Sequence, residues 1–316
     1  MAIKIGVVMD PIEAITPYKD STLAMMLAAK RRGWEISVMQ QHDLYLSEGQ
    51  ACATRTIVDV FDDNDHWYDS GDTVDGPLAA LDLVLMRKDP PFNMDYIYTT
   101  YILERAAAEG VLVSNNPAAL RDVNEKLYTA WFSNWCPPTL VSASMERIKG
   151  FLEQHGDIIV KPLDGMGGES IFRLKAGDPN VNVILETITR RNSLQTMAQT
   201  YLPEIVDGDK RVLVVAGEPV PFALARIPAK GETRGNLAAG GRGVPIALSE
   251  TDRALISAIR DQLLAKDLLF VGVDIIGTRM TEINVTSPTC IRELDAHGNL
   301  DIAGDYLDAL EQKLGQ

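Results

Sequence analysis

The sequence is poor in the residues that build redox and zinc chemistry. Its 316 residues include three cysteines and four histidines. Cys52, Cys136 and Cys290 are odd in number and far apart, which disfavours a disulfide framework or a paired-cysteine metal site. The histidines lie near no carboxylate motif, which disfavours a zinc site or a histidine-based triad. This use of cysteine is typical of a reducing cytoplasm, and we expect the protein to be cytoplasmic.

Long apolar runs and excess positive charge are also missing. No apolar run reaches the length of a transmembrane helix, and the chain opens on a strand-like segment without a signal-peptide pattern. The formal net charge is −14, which disfavours nucleic acid or an anionic membrane as a partner. Hydrophobic residues make up 46% of the chain, so its length predicts two or three domains with buried cores.

The chain carries neither of the common nucleotide-binding glycine motifs. It has no GxxxxGK[ST] sequence, and no GxGxxG sequence opens a helix. It does have a glycine-rich loop between two predicted strands, in which Gly165, Gly167 and Gly168 follow Lys161. Glycines between strands allow backbone N–H groups to converge on an anion. The loop therefore predicts phosphate binding.

The order of the elements predicts an α/β fold that begins with a parallel sheet. A buried strand, a helix capped by Asp20 and a second strand form a βαβ start. We interpret residues 48–75 as a polar surface excursion with one short strand. Residues 120–132 predict a helical linker. Further strands and helices are predicted at 81–86, 96–109, 111–114, 145–154, 157–162, 170–174, 196–202, 211–215, 220–227, 251–266 and 302–314.

Two apolar runs at Phe270–Ile276 and 279–285 flank a Gly-Thr turn and predict a β-hairpin. Glu282 and Asn284 are two apart on one strand, so their side chains leave the same face, and Asp274 lies on the partner strand. Two carboxylates and one amide oxygen form a set suited to Mg²⁺. The alternative is a solvated outer face of the hairpin.

Two further segments are candidates for ligand contact. Residues 227–243 contain five glycines among seventeen residues, together with Lys230, Arg234 and Arg242, and predict a flexible lid that closes over anions. The alternative is a disordered loop. Arg87 and its neighbours follow a buried strand, where open α/β sheets bind ligands. The alternative there is a solvated loop with a proline stop.

Taken in chain order, these segments resemble bacterial glutathione synthetases, which are carboxylate–amine ligases of the ATP-grasp fold. The resemblance rests on MRKDPPF at 86–92, RDVNEKLYTAWF at 121–132, KPLDGMGG at 161–168, DGDKRVLVV at 207–215, ARIPAKGETRGNLAAGGRG at 225–243, and FVGVDII with TEINVTSPTCIRE at 270–293. It implies an ATP-grasp fold behind an N-terminal parallel-sheet domain. The expected domains are 1–122, a lid-side subdomain 123–202, and a catalytic subdomain 203–316.

The resemblance also implies an activity, partners and an assembly. We expect ATP-dependent ligation of γ-glutamylcysteine with glycine through an acylphosphate, which gives glutathione, ADP and phosphate. The implied cofactors are ATP and Mg²⁺, with Mn²⁺ as an alternative metal. No side-chain nucleophile is needed, since the substrate carboxylate is itself the nucleophile. The family further implies a homotetramer.

By the same resemblance, each site residue receives an expected role. Asp274, Glu282 and Asn284 would hold the metal, while Lys126 and Lys161 would neutralise phosphate oxygens beneath the amides of Gly165, Gly167 and Gly168. Gln199, Tyr201 and Leu202 would lie against adenine, and Asp209 is a candidate for the ribose hydroxyls. Arg211, Arg226 and Arg234 would grip carboxylate and phosphate oxygens.

Two other functions stay open from the sequence alone. One is an ATP-grasp ligase with a different substrate, such as an amino-acid or dipeptide ligase, which would share the metal and phosphate residues. The other is a nucleotide-binding regulatory protein that has lost turnover. Release of ADP that depends on an added acceptor amine would distinguish the expected ligase from both.

Overall fold

A computed structural model describes residues 2–232, 234–235, 237 and 240–315. In this part of the chain the strands form three sheets, which follow one another along the sequence. The first sheet lies before the predicted linker, the second carries the glycine-rich loop, and the third carries the predicted metal hairpin. This α/β architecture agrees with the predicted fold class, whereas the exact domain boundaries stay a prediction.

The first sheet has a parallel centre, as the βαβ start predicts. Strands β1, β2, β6 and β7 pair in parallel, and antiparallel β3, β4 and β5 extend one edge. The Asp20 carboxylate caps the first helix by accepting from the Leu23 N–H at 2.6 Å. The bounds are β1 Lys4–Val8, α1 Ser21–Arg31, β2 Glu35–Met39, β3 Leu44–Ser47, β4 Gln50–Val60, β5 Tyr68–Pro77, β6 Leu83–Met86, α2 Met94–Ala108 and β7 Leu112–Ser114.

The interpretation of residues 48–75 as a surface excursion with one short strand is wrong in its secondary structure, because the segment contains β4 and most of β5. Strands β4 and β5 form a long antiparallel hairpin, paired from Cys52 and Pro77 to Val60 and Tyr68 with one bulge. Most of β5 is exposed, and its sequence YDSGDTVDGP therefore lacks the apolar alternation of a half-buried strand. Its pairing comes from backbone hydrogen bonds to β4, which the sequence pattern does not report.

The predicted helical linker is only partly helical. Helix α3, Pro117–Asp122, ends before Lys126, and a 3-10 segment covers Leu127–Trp135. Between them the Asn124 side-chain oxygen accepts from the backbone N–H of Lys126 at 3.2 Å and of Leu127 at 2.8 Å. Such a side-chain turn competes with the helical hydrogen bonds. The side chain of Lys126 therefore projects from a turn rather than from the face of a helix.

The second sheet is antiparallel and has the strand order β10-β9-β11-β8. The glycine-rich loop joins β9 to β10, as predicted. Strand β8 and helix α5 were not predicted from the sequence. The bounds are β8 Thr139–Ser142, α4 Met145–His155, β9 Asp157–Pro162, β10 Phe172–Lys175, α5 Val181–Ile188 and β11 Thr196–Thr200.

The third sheet is antiparallel, in the order β14-β13-β12-β15-β16. The predicted hairpin is confirmed as β15 and β16, which turn at Gly277. Strands β13 and β14 flank the predicted lid, of which residues 233, 236, 238 and 239 lie outside the described residues. The bounds are β12 Asp209–Val215, β13 Glu218–Ile227, β14 Arg242–Ala247, α6 Glu250–Ala265, β15 Phe270–Ile276, β16 Arg279–Asn284, α7 Ile291–Gly298 and α8 Ile302–Leu314.

Two large cores join the first and third sheets. One lies between the apolar face of the third sheet and α6, where Val273 and Ile275 pack near Leu255 and Ile259, and it continues under α2. The other joins α1 and β1 to α7 and α8. A smaller core holds the second sheet against α4 and α5. Among the described residues, no helix combines the length and apolar character needed to span a bilayer.

Candidate active site

The polar side chains of the third sheet share one face. Residues directly opposite one another in an antiparallel sheet project to the same side. Arg211 lies opposite Asp274, which lies opposite Glu282, and Asp209 lies opposite Arg226. Because alternate residues of a strand repeat the face, Asn284 joins the same group. Alternation therefore gathers six of the predicted site residues, which are Asp209, Arg211, Arg226, Asp274, Glu282 and Asn284.

At the centre of this face lies a buried network of two arginines and two aspartates. Arg211 binds Asp274 through two hydrogen bonds, from Nε to Oδ1 at 2.5 Å and from Nη2 to Oδ2 at 2.8 Å. Arg226 Nη2 lies 2.8 Å from Asp274 Oδ2 and 2.5 Å from Asp209 Oδ2. All four side chains are buried, so each charge depends on its partners in the network.

The network shifts its two carboxyl groups in opposite directions. Burial opposes ionisation of Asp274, but Arg211 and Arg226 outweigh it and hold the pKa of Asp274 well below its usual range. Burial raises the pKa of Asp209 to about 6, against the opposing attraction of Arg226. Within the described part of the chain, the Oδ1 atom of Asp209 is buried and has no hydrogen-bond partner. A ligand hydroxyl could satisfy that atom.

Two lysines approach the carboxylate of Glu282. Lys126 Nζ lies 3.4 Å from Glu282 Oε1 and Lys161 Nζ lies 3.9 Å from the same atom. Burial favours neutral lysine, but Glu282 and nearby acids raise the pKa of Lys126 above its ordinary value. Burial lowers the pKa of Lys161, and the charge of Lys126 adds to that decrease. A phosphate between these ammonium groups would relieve their repulsion.

The glycine-rich loop is held from both sides by cationic side chains. Lys126 Nζ donates to the Gly165 carbonyl at 2.5 Å, and Arg234 Nη1 donates to the Gly168 carbonyl at 3.1 Å. Gly167 and Gly168 have φ of 61° and 82°, which side chains with a Cβ rarely adopt. The loop therefore needs glycine at these two positions to follow its path across the lysines.

Two cavities meet at Glu282. The larger, of about 450 Å³, lies over the arginines and is open to the first sheet and to residues 286–290. The smaller, of about 90 Å³, lies between Lys161 and the strand that follows α5. The predicted residues of the larger cavity are Lys126, Gly165, Gly167, Gly168, Arg211, Arg226, Glu282 and Asn284. Those of the smaller are Lys161, Gln199, Tyr201, Leu202, Asp209, Arg234 and Glu282.

The smaller cavity is lined by the residues expected to lie against adenine, and two of them are held by neighbouring side chains. Gln199 is buried, and its side-chain nitrogen donates to Thr139 Oγ1 at 3.1 Å. The Tyr201 ring is covered by the Arg173 guanidinium, which lies 3.4 Å from the ring centroid and is itself fixed by Asp157. These contacts hold Gln199 and Tyr201 in the lining of the smaller cavity.

The oxygen donors of the hairpin fit a hard divalent cation, with one restriction. Glu282 is 18% exposed, and Asn284 donates its side-chain nitrogen to the Gly272 carbonyl at 3.1 Å, which leaves its oxygen for a cation. A carboxylate offers about four lone-pair positions, and the two arginines occupy three of those of Asp274. Among the described residues no cluster of three or more His, Cys, Asp or Glu side chains is suited to a metal.

Asp274 therefore differs from the other predicted site residues. It is 2% exposed and lies beneath the cavities, on the arginines, rather than in their lining. Cys290 is buried, and burial raises the pKa of its thiol. Burial therefore disfavours the thiolate form that a cysteine nucleophile needs.

Three contributors to the site carried little or no signal in the sequence. Arg87, a candidate from its place after β6, is buried and donates to the Pro288 carbonyl at 2.9 Å. Glu125 accepts from the backbone of 285–286, and Asn115 binds the backbone at Phe270 and Val285. Glu125 and Asn115 reach partners more than 150 positions away, and no local pattern reports such a contact.

The chain matches two family models across most of its length. Residues 3–121 match the prokaryotic glutathione synthetase N-terminal domain, and residues 125–299 match the prokaryotic glutathione synthetase ATP-grasp domain. It is 58% identical over 312 residues to a glutathione synthetase of Vibrio cholerae, covering 99% of this chain and 98% of that one. A glutathione synthetase of Salmonella typhimurium is 57% identical over 314 residues, covering 99% and 100%.

Solved structures with low sequence identity share the fold. The D-cycloserine synthetase DcsG has a TM-score of 0.70 at 15% identity and covers 98% of this chain and 99% of its own. The D-alanyl-alanine synthetase A of Vibrio cholerae has a TM-score of 0.61 at 12% identity, covering 100% and 99%. These likenesses identify the ATP-grasp fold, and the family models identify the branch within it. The chain belongs to the prokaryotic glutathione synthetase family, and it is an ATP-dependent ligase.

Proposed function

We propose that this chain joins γ-glutamylcysteine to glycine, using the two cavities that meet at Glu282. Family membership establishes glutathione synthesis by an ATP-dependent ligase, and the proposal concerns its steps and residues. The γ-phosphoryl group of ATP passes to the carboxylate of the cysteinyl residue, and ADP leaves. The amine of glycine then attacks the acylphosphate, and phosphate departs as the amide bond forms.

The nucleotide would lie across the glycine-rich loop. Its base would enter the smaller cavity against Gln199, Tyr201 and Leu202, and its ribose hydroxyls would donate to the unpartnered oxygen of Asp209. Its phosphates would then reach Glu282, where the two cavities meet and Lys126 and Lys161 converge. This shared point carries the proposal, because phosphoryl transfer needs donor and acceptor beside the same cations.

The arginines would serve the acceptor side. Arg211 and Arg226 line the larger cavity, and their positions are fixed by Asp274 and Asp209. Their remaining N–H groups could bind the carboxylate that attacks ATP and the oxygens of the acylphosphate. Preorganised donors of this kind stabilise developing negative charge without rearranging during the reaction.

Glu282 and Asn284 would hold Mg²⁺, and the remaining lone-pair position of Asp274 would complete the protein's contribution. When bound, the ion would neutralise phosphate charge. Mn²⁺ would bind the same oxygen donors. In this arrangement Asp274 has a second task, since it also orients the two arginines.

The proposal also includes predictions about the lid, the location of the enzyme, its assembly and its domains. The predicted lid at 227–243, whose Arg234 contacts the glycine-rich loop, would close over the acylphosphate and protect it from water. Arg234 would then act on phosphate oxygens. The enzyme would be a cytoplasmic homotetramer, divided into domains at 1–122, 123–202 and 203–316.

The proposal is tested by measuring ADP release with Mg²⁺, ATP, γ-glutamylcysteine and glycine, omitting each component in turn. We expect turnover only with the complete mixture and one glutathione formed for each ADP. Full ADP release without glycine would contradict coupling through an acylphosphate that waits for its amine. Equal turnover with unrelated dipeptides would contradict the substrate assignment.

A further inference from the structure

The carboxylate of Glu125, which is not among the predicted site residues, connects the segment of Lys126 to strand β16, which carries Glu282 and Asn284. Glu125 precedes Lys126, and its Oε1 atom accepts from the Val285 N–H at 2.8 Å, the Thr286 N–H at 3.0 Å and Thr286 Oγ1 at 2.9 Å. Its backbone carbonyl accepts from the Ile283 N–H at 2.8 Å. One residue therefore receives four hydrogen bonds from a segment about 160 positions away.

These hydrogen bonds cover an otherwise unpaired edge. Strand β16 is the last strand of the third sheet, so the N–H groups on its outer side have no neighbouring strand. Glu125 supplies the acceptor for Ile283, whose two neighbours are Glu282 and Asn284. The position of the predicted metal donors is thus set on one side by β15 and on the other by Glu125.

The same residue limits where Lys126 can lie. The turn at Asn124 fixes the backbone before Lys126, and the Asn124 side-chain nitrogen donates to the Leu163 carbonyl at 3.1 Å, next to the glycine-rich loop. Lys126 then reaches both Gly165 and Glu282. A displacement of the linker relative to β16 would change the separation of Lys126 from Glu282, where the phosphates are expected.

The charge of Glu125 is used for hydrogen bonding rather than for an ion pair. Within the described residues, no lysine or arginine nitrogen lies within 4.0 Å of its carboxylate, as it would in a salt bridge. A carboxylate accepts hydrogen bonds from N–H groups more strongly than a neutral amide does. Its three donors all belong to the backbone and side chain of Val285 and Thr286.

We propose that Glu125 is a positioning residue, which sets the spacing between Lys126 and the metal donors Glu282 and Asn284. The inference rests on the proposed function of those three residues. Glu125 does not need to touch the reacting atoms. Residues that orient metal ligands typically change metal affinity or activity by about 10–100-fold when they are replaced.

The test compares Glu125→Ala, Glu125→Gln and wild type, with Glu153→Gln as the control, because Glu153 is an exposed glutamate on α4. The first measurement is amide hydrogen exchange of Val285 and Thr286 without nucleotide. We expect exchange about tenfold faster in Glu125→Ala, as for the loss of one hydrogen bond. The control should exchange like wild type.

The second measurement is the Mg²⁺ concentration for half-maximal activity, together with calorimetric binding of ADP with and without Mg²⁺. We expect Glu125→Ala to need about 10–100-fold more Mg²⁺ and to bind ADP more weakly, with the larger loss when Mg²⁺ is present. Glu125→Gln keeps an acceptor oxygen and should recover part of the difference. A purely structural role would lower the melting temperature without shifting the Mg²⁺ requirement.

An unchanged Mg²⁺ requirement in a folded Glu125→Ala protein would overturn the inference. Should that variant not fold, Glu125→Gln carries the same measurements, and its equality with wild type in both exchange and Mg²⁺ requirement would overturn the inference equally. The proposed function is judged separately, on wild-type turnover with the complete substrate mixture. The two can therefore fail independently.

Discussion

On one face of the third sheet, Val273 and Ile275 pack into the core beneath α6, while on the other face Asp274 binds two arginines. The three residues are consecutive on one strand. The apolar face contributes burial, which stabilises the sheet by about 25 cal/mol for each Å² of apolar surface removed from water. The polar face holds charges whose burial is costly unless they are paired. Alternate residues of the same strands can therefore serve different purposes, one set stabilising the sheet and the other holding the charged groups of the candidate site.

Replacing the residue at which the cavities meet should produce the largest effect. Glu282→Gln keeps the shape of the side chain but removes the charge that faces Lys126 and Lys161. We expect kcat to fall about 10³-fold, equivalent to about 4 kcal/mol, with an unchanged fold. Steady-state kinetics and circular dichroism measure the two quantities. Glu218→Gln, at the exposed far end of the sheet, is the control, and a comparable loss there would remove the distinction.

On the apolar face the expected loss is in stability. Ile275→Ala removes a fully buried side chain next to Asp274 and should lower the free energy of unfolding by about 2–5 kcal/mol. Well below the melting temperature, kcat should stay within about twofold of wild type because the cavities are not touched. Denaturant unfolding and kinetics check this. Val183→Ala, on an exposed part of α5, should change stability by about 0.5 kcal/mol or less. If Ile275→Ala lost as much kcat as Glu282→Gln, the idea that the two faces of the sheet act independently would be refuted.

Replacing an arginine of the network should affect both quantities, since it belongs to the polar face and is buried. Arg211→Lys keeps the positive charge but cannot reproduce two parallel hydrogen bonds to Asp274. We expect about 2 kcal/mol less stability and about a tenfold lower kcat/KM for γ-glutamylcysteine. The control is Arg253→Lys on the exposed side of α6. Normal kinetics in Arg211→Lys would take this residue out of the site.

The smallest effect concerns pH. Because the folded-state pKa of Asp209 is raised to about 6, the folded protein binds this proton more readily than the unfolded chain does. The contribution of Asp209 to the free energy of unfolding is therefore largest at low pH and decreases as pH rises from about 4 to about 6, by an amount of the order of 1 kcal/mol.

Asp209→Asn should remove that part of the pH dependence, which urea unfolding at several pH values would measure. Asp261→Asn, on the exposed side of α6, is the control and should leave the pH dependence unchanged. If Asp209→Asn and wild type show the same slope between pH 4 and pH 6, Asp209 is not the group that titrates there.

Much of the fold was predictable because local residue patterns predict most of its strands and helices. The hairpin of β15 and β16 has apolar runs and a glycine turn, and α8 has the bounds Ile302–Leu314 that the sequence predicted. The exposed strand β5 and the turn at Asn124 were missed for a common reason. Strand β5 is held by backbone hydrogen bonds to β4, and the turn is held by the Asn124 side chain, which competes with helical hydrogen bonds. Neither kind of hydrogen bond leaves a pattern of apolar residues in the sequence.

The candidate site was predictable as a set of residues but not as an arrangement. Alternation along β16 indicated that Glu282 and Asn284 share a face, and the family resemblance supplied expected roles. Neither alternation nor the resemblance indicated that Arg211 and Arg226 would occupy three lone-pair positions of Asp274. Neither indicated that Glu125 would bind the backbone at Val285. Both facts depend on which strands are neighbours and on which segment covers an edge.

By itself, the sequence determined the α/β class through the local order of its elements, and its resemblance to bacterial glutathione synthetases indicated the family and the residue types expected at ATP and a divalent cation. Only the tertiary structure decided that the two cavities meet at Glu282, that the arginines and aspartates form one buried network, and that Glu125 holds the edge of β16. The reason is physical. Burial and pairing between distant segments set these charges and positions, and neither quantity exists until the chain has folded.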